Sequence, residues 1–201
     1  MTTAFPLPTP DIFGPILSTA DIRKAVLSTL QAWTPTYVAA MASRSGLVLL
    51  PFEDWKLRPE YRTLPVNNSP ACLVTCLGTA STPQRRGNGD VMAVWTIEVL
   101  VVVFGDDWEA TSDLVGYYTA AVRTALEQHR DLGGVASATQ WLGEKYTEIE
   151  HSSTRTLGGA VIHFAVTTEH VLNYQAGPAT PTSPLVLSPT AATASVTVTK
   201  L

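Results

Sequence analysis

The sequence predicts an α+β domain: an antiparallel sheet of about four to five strands with two helices packed on one face, plus an extended N-terminal arm and a C-terminal tail. Two observations predict this class. Apolar residues recur at helical spacing in two segments, and strands with two-residue alternation come in pairs around the second of them. Because paired strands form hairpins and leave the helices to one side, this order indicates a two-layer sandwich.

A first helix is expected over Thr19–Ser43. Ser18 and Asp21 have the spacing of a capping box, in which a hydroxyl and a carboxylate satisfy the free amides of a helix start. Four apolar residues follow at helical spacing and predict one buried stripe: Ile22, Val26, Leu30 and Trp33. Pro35 should kink or interrupt this helix, and Gly46 is its expected C-terminal stop.

The clearest strand is Val91–Phe104. Its odd positions are all apolar, whereas its even positions include Thr96 and Glu98. A strand over Ala71–Ala80 precedes it, and the polar link Ser81–Asp90 joins the two. They predict an antiparallel hairpin with a projecting link, and a low-charge sheet face that the helices leave free for a subunit contact.

A second helix and a second hairpin follow. An acidic cluster precedes an amphipathic stripe from Leu114 to Leu126, which should stop at Gly133. Strands are then expected over Val135–Glu150 and Ala160–Leu172, with turn residues between them.

Composition divides the chain into three parts. Residues 1–17 carry four prolines and suit an extended arm, and residues 18–174 hold the domain. Residues 175–201 are rich in Pro, Thr, Ala and Ser, and Lys200 is their only charged side chain, so alone they should be flexible. Because both ends of this tail carry β-type residues, we expect it to order only against a partner, for example along a neighbour's sheet edge.

Composition also excludes several classes of protein. Charged residues make up 15% of the chain, against roughly a quarter in ordinary soluble proteins. Thirteen Lys and Arg against 17 Asp and Glu leave no general basic surface for nucleic acid. Two cysteines cannot form a disulfide framework, the N-terminus lacks a signal peptide pattern, and the longest apolar run is shorter than a membrane helix. We therefore expect a soluble intracellular protein.

No pattern in the sequence assigns catalysis, a cofactor or a metal. It contains no Walker A run, no GxGxxG after a strand, no HExxH and no GxSxG. In a strand, Cys72 and Cys76 would lie ~13 Å apart, too far for one metal ion. The acidic residues before the second helix favour helix capping over cation binding.

Two charged groups remain as candidates for contacts. Arg85 and Arg86 are adjacent on the predicted link and fit either a solvated hairpin tip or a contact with an acidic neighbour. Glu144, Glu148 and Glu150 are expected on one face of a strand, where a solvated or lumen-facing role is favoured over the paired carboxylates of a glycosidase.

Six stretches together resemble the tail terminator proteins of long-tailed (siphovirus-type) bacteriophages, especially those of actinobacterial hosts. They are DIRKAVLSTLQAW, SPACLVTCLGTA, VWTIEVLVVVFGDD, DLVGYYTAAVRTALEQHRDLGG, WLGEKYTE and LGGAVIHFAVTTEHVLN. The resemblance covers residues 20–173, so the arm and the tail lie outside it.

The resemblance implies a non-enzymatic virion protein at the head–tail junction. Six copies would form a ring that caps the tail tube, stops its polymerisation and meets a head-completion or connector protein. DNA would pass through the lumen without specific binding, which the net acidic balance suits. Candidate residues for subunit or tube contacts are Arg85, Arg86, Asp90, Trp95, Glu98 and Trp108, and candidate lumen-facing residues are Glu144, Glu148 and Glu150.

Two alternatives stay open from the sequence. Another head-to-tail connector component, for head closure or tail completion, would use a similar small α+β ring. An unrelated small hydrolase or ligand-binding domain would instead be a monomer with a pocket for a small molecule.

Overall fold

Two helices and six strands are present in a computed structural model of the chain, which describes residues 17–57, 69–87, 89–151, 156–169 and 171. The elements are α1 (Thr19–Ser45), β1 (Asp54–Leu57), β2 (Ala71–Thr79), β3 (Gln84–Arg85), β4 (Val91–Gly105), α2 (Trp108–Gln128), β5 (Ala138–His151) and β6 (Thr156–Thr168). The sheet order is β1-β2-β4-β6-β5, with β3 paired to β4. All pairs are antiparallel except β1 with β2, so the predicted α+β class is confirmed.

The predicted caps hold α1 at both ends. The Ser18 amide donates to Asp21 Oδ2 at 2.9 Å, and the Asp21 amide donates to Ser18 Oγ at 3.3 Å. The hydrogen bonds from Ser18 lower the pKa of the Asp21 carboxyl. At the other end, Gly46 is left-handed (φ 72°) and its amide donates to the Ala42 carbonyl. Of the two effects predicted for Pro35, a kink or an interruption, the interruption does not occur, because the helix continues through Pro35 to Ser45.

Both helices cover one face of the sheet, as predicted. The odd residues of β4 face the helices and are buried: Ala93, Trp95, Ile97, Val99, Val101 and Val103. They share one apolar core with Leu30 of α1, Val122 of α2 and Phe164 of β6. Burial of this stripe from both helices provides the main hydrophobic stabilisation of the domain.

The opposite face, here called the helix-free face, is not entirely free. Four apolar residues of β2 and β4 are buried there in a second cluster: Ala71, Leu73, Leu100 and Val102. The helices leave this face free, but at this end of the sheet its apolar side chains are buried.

The two predicted hairpins are confirmed, with different ends. β2 pairs with β4 from Ala71 to Thr79, and β5 pairs with β6 along nearly all of its length. β6 begins at Thr156, earlier than the predicted Ala160. β3 folds the link back onto the start of β4, so the link projects less than expected. β1 lies in a segment for which no helix or strand was predicted.

The start of α2 confirms capping by the acidic cluster. Asp107 is the N-cap, and its side chain accepts the Ala110 amide at 2.8 Å. The helix ends at Gln128, before the predicted stop. Gly133 and Gly134 have positive φ and belong to the turn that leads into β5.

The contribution of Tyr118, in α2, to the stability of the fold depends on pH. Its ring packs against Phe52, and its hydroxyl donates to the Leu50 carbonyl at 2.7 Å. Burial raises the pKa of Tyr118 from the ordinary 10.0 to about 12. Because the folded state holds this proton more tightly, its contribution to stability is complete below pH 10 and is lost as pH rises towards 12.

Phenylalanine at Tyr118 should weaken that pH dependence. At neutral pH we expect Tyr118→Phe to lower the free energy of unfolding by about 1 kcal/mol, because the Leu50 carbonyl loses its hydrogen-bond donor. Between pH 10 and 12, however, its melting temperature should fall less than that of the unmodified chain, as measured by circular dichroism. Tyr117→Phe, at the partly exposed neighbouring position, is the control. Parallel pH curves for Tyr118→Phe and the unmodified chain would contradict the assignment.

Candidate subunit interface

β5 forms one edge of the sheet and carries large exposed side chains. Within the described part of the chain, β6 is its only strand partner. The exposed fraction is 39% for Trp141, 57% for Leu142 and 51% for Tyr146, and Trp108 at the start of α2 is 54% exposed. We call these four residues the β5 edge surface. Trp and Tyr are the residue types that dominate binding energy in protein interfaces.

A β-bulge places Leu142 outside the regular ladder. Trp141 pairs with Phe164 and Gly143 with His163, so Leu142 is the extra residue between two successive pairs. The Trp141 amide donates to Glu127 Oε1 of α2 at 2.7 Å. Glu127 of the helix thereby satisfies the backbone amide of Trp141 at the sheet edge. β5 continues beyond Gly143, past this contact.

A polar network fixes the aromatic residues of this edge. Arg123 of α2 reaches both carboxylate oxygens of Glu144, at 3.2 and 3.1 Å, and its guanidinium lies 4.7 Å from the Trp141 ring centroid. The Tyr146 hydroxyl donates to Glu144 at 2.9 Å. Burial raises the pKa of Tyr146, and this hydrogen bond raises it further. Side chains ordered in advance lose less entropy when a partner binds.

A groove of about 200 Å³ opens between α2 and the β5–β6 hairpin. It is lined by Trp108, Thr111, Ser112, Val115, Tyr146, Thr147, Gly158 and Gly159. The groove joins Trp108 to Tyr146, so the helix start and the strand edge form one continuous surface.

Two of the six predicted contact residues, Trp95 and Asp90, are buried in the folded chain. Trp95 is 7% exposed, and its Nε1 donates to Thr168 Oγ1 at 2.8 Å inside the core. It belongs to the odd face of β4 that the helices cover. Asp90 is also 7% exposed. Neither side chain is available to a partner of the folded chain.

The other four reach the surface, but the fold does not bring them together. Arg85 and Arg86 are exposed near the start of β4, and Arg86 pairs with Glu169 at 2.7 Å. Trp108 lies beyond the opposite end of that strand. Glu98 lies on the helix-free face, where its carboxylate is 3.3 Å from His163 Nδ1 and only 14% of its side chain is exposed.

Of the three predicted lumen-facing glutamates, only Glu144 has a side chain among the described residues. Glu144 lies on the side of the sheet that α2 covers, where Arg123 neutralises it. Glu148 and Glu150 are in β5, but their side chains lie outside the described residues. A bulge lies between these two positions, where Glu148 pairs with Gly158 and Glu150 with the preceding Leu157.

A second groove, of about 680 Å³, separates α1 from the turn after α2. Trp33, predicted to be buried, is 44% exposed and stacks on His129 with ring centroids 3.9 Å apart. Burial raises the pKa of both cysteine thiols, Cys72 most strongly, which makes them poor nucleophiles. In the described ranges, no group of three or more His, Cys, Asp or Glu residues could hold a metal ion.

Neither described helix is long and apolar enough to cross a membrane.

Comparison with known proteins gives similarities to solved structures. No family model matches the sequence, and no curated protein matches it. Among solved structures, the chain is similar to a chain of "Virion of native gene transfer agent (GTA) particle", with 16% identity and a TM-score of 0.38, over 72% of this chain and 98% of that chain. An identity and a TM-score this low assign neither function nor partners.

Proposed function

We propose that the chain is a structural protein of a phage-like virion and, within it, a tail terminator. Six copies form a ring that caps the tail tube, stops its polymerisation and joins the tail to the head connector. The observation that carries the proposal is the β5 edge surface, an exposed aromatic and aliphatic strand edge in a chain with few charges. The resemblance of six sequence stretches to tail terminators supplies the identity of the ring.

A closed ring needs two different complementary patches on each subunit, because its contacts run head to tail. The β5 edge surface is one exposed apolar patch. Another lies on the loop after α1, where three aliphatic residues are exposed: Leu47, Val48 and Leu50. Because the two patches belong to different elements, they suit a head-to-tail contact better than a twofold one.

The charges also suit a structural ring. The chain has a formal net charge of -4, which disfavours tight binding of DNA phosphates and suits passage of DNA through a lumen. At the β5 edge, Arg123, Glu144 and Tyr146 are bound to one another. These groups therefore fix an interface geometry, and none of the three is left as a free acid or base.

The mass of the purified chain in solution tests the proposal. Light scattering of the free chain should give six times the 21.5 kDa subunit mass, or, if the free chain is monomeric, each capped tube end should bind six copies. Twelve subunits would favour the other candidate, a head-closure or tail-completion connector. A chain that stays monomeric alone and with tubes would contradict both.

Two matched leucines test which surface forms the ring. Leu142 and Leu77 are exposed to nearly the same extent, 57% and 58%, and each is the extra residue of a β-bulge. We expect Leu142→Asp to abolish the hexamer and Leu77→Asp to retain it, with both variants melting close to the unmodified chain. Equal assembly of the two variants would remove the β5 edge from the interface.

A further inference from the structure

The edge of β5 is open to an additional strand. β5 has 14 residues, and in the part of the chain that the structure describes only β6 pairs with it. Glu127 covers the edge at Trp141, but Lys145, Tyr146 and Thr147 follow as three exposed residues. A long exposed edge strand is a template for pairing with another extended segment.

The groove beside this edge determines which side chains an added strand can place there. Trp108 and Tyr146 stand on its two sides, and Gly158 and Gly159 contribute no side chain to its floor. Such a site suits small β-branched side chains, which pack well on a pleated surface and bring no charge into contact with the aromatic rings.

One segment of this chain has that composition. Residues 195–201 read Ser-Val-Thr-Val-Thr-Lys-Leu, so Val196 and Val198 would share one face of a strand. The other β-type stretch of the tail, 185–188, is bounded by Pro184 and Pro189, which cannot donate ladder hydrogen bonds.

The segment is long enough to leave its own subunit. Val171 is anchored at the start of β4, where its amide donates to the Val91 carbonyl at 2.9 Å. The residues between Val171 and Ser195 span up to roughly 75 Å when extended at about 3.3 Å per residue. A neighbouring subunit in a ring lies within that reach.

We propose that residues 195–201 of one subunit add as a strand to the open edge of β5 in the next subunit, with Val196 and Val198 against the groove beside Trp108 and Tyr146. The inference rests on the proposed ring, which supplies the neighbour. Each subunit then donates one strand and receives one, so the ring closes with no open β5 edge.

Disulfide trapping in the complete chain tests this exchange. In a Cys76→Ser background, which leaves only the buried Cys72, one preparation carries Thr147→Cys and a second carries Val196→Cys or Val198→Cys. After mixing and mild oxidation, we expect a covalent heterodimer, because paired strands bring Cα atoms within disulfide reach. Leu77→Cys replaces Thr147→Cys as the control and should give no heterodimer above background.

The outcomes separate this inference from the proposed function. If light scattering shows a hexamer but no disulfide forms between position 147 and position 196 or 198, strand exchange is overturned and the proposed ring is unaffected. A third preparation carries both substitutions in one chain. If its disulfide forms within the chain and none forms between chains, the segment pairs within its own subunit and exchange is overturned. A monomer without any disulfide overturns both.

Discussion

Alanine at Gly105 or Gly158 is expected to lower the free energy of unfolding by about 1–3 kcal/mol, the usual cost of overpacking a core. Thr111, in the first turn of α2, rests in the gap that these two glycines leave. A Cβ at Gly158 would lie 2.8 Å from Thr111 Cγ2 and 3.0 Å from Val115 Cγ2. A Cβ at Gly105 would lie 3.1 Å from Thr111 Cα, so the helix backbone itself would have to move.

A third glycine provides the matched control. Gly116 lies within α2, and a Cβ there would meet nothing within 4 Å. We expect Gly116→Ala to raise the free energy of unfolding by about 0.5–1 kcal/mol, because alanine favours the helix. Urea unfolding measures all three variants. If alanine at Gly105 and Gly158 is tolerated as well as at Gly116, α2 does not depend on close contact with the sheet.

Reversing both charges of the link should disrupt particles without unfolding the chain. Arg85 and Arg86 are exposed, and we propose that they contact an acidic surface of a neighbouring protein in the phage tail. Arg85→Glu with Arg86→Glu is expected to yield tails that are overlong or not joined to heads, as seen by electron microscopy. The melting temperature should change little, because exposed ion pairs contribute about 0–1 kcal/mol.

The ion pair of Arg86 requires its own control. Reversal at Arg86 also breaks the contact with Glu169, which Glu169→Gln breaks without altering either arginine. We expect normal tails from Glu169→Gln. Normal tails from the double reversal would exclude the link as a docking element, and defective tails from Glu169→Gln would assign the effect to the lost ion pair.

The elements that sequence predicted well are those with local causes. The Ser18–Asp21 capping box and Gly46 fix α1 through contacts between near neighbours. The alternation of β4 is equally local, and all six of its buried odd residues from Ala93 to Val103 follow it. Trp95, predicted as a contact residue, is one of these six buried residues.

The missed features depend on distant partners. β1 is only four residues long, too short for its polar–apolar alternation to predict a strand, and it forms by pairing with β2. Trp141, Leu142 and Tyr146 were not predicted as contact residues, because exposure at β5 follows from its edge position in the sheet order. Two aromatic residues in an otherwise polar strand were the available signal. The bulges at Leu142 and between positions 148 and 150 have no sequence pattern that we recognise.

Tail length in particles assembled without this chain tests the central claim most directly. Electron microscopy of cells in which its gene is disrupted should show tubes that exceed the normal length and carry no heads, and supplying the chain should restore tails of normal length joined to heads. Tails of normal length joined to heads in its absence would contradict the proposal that this chain ends the tube.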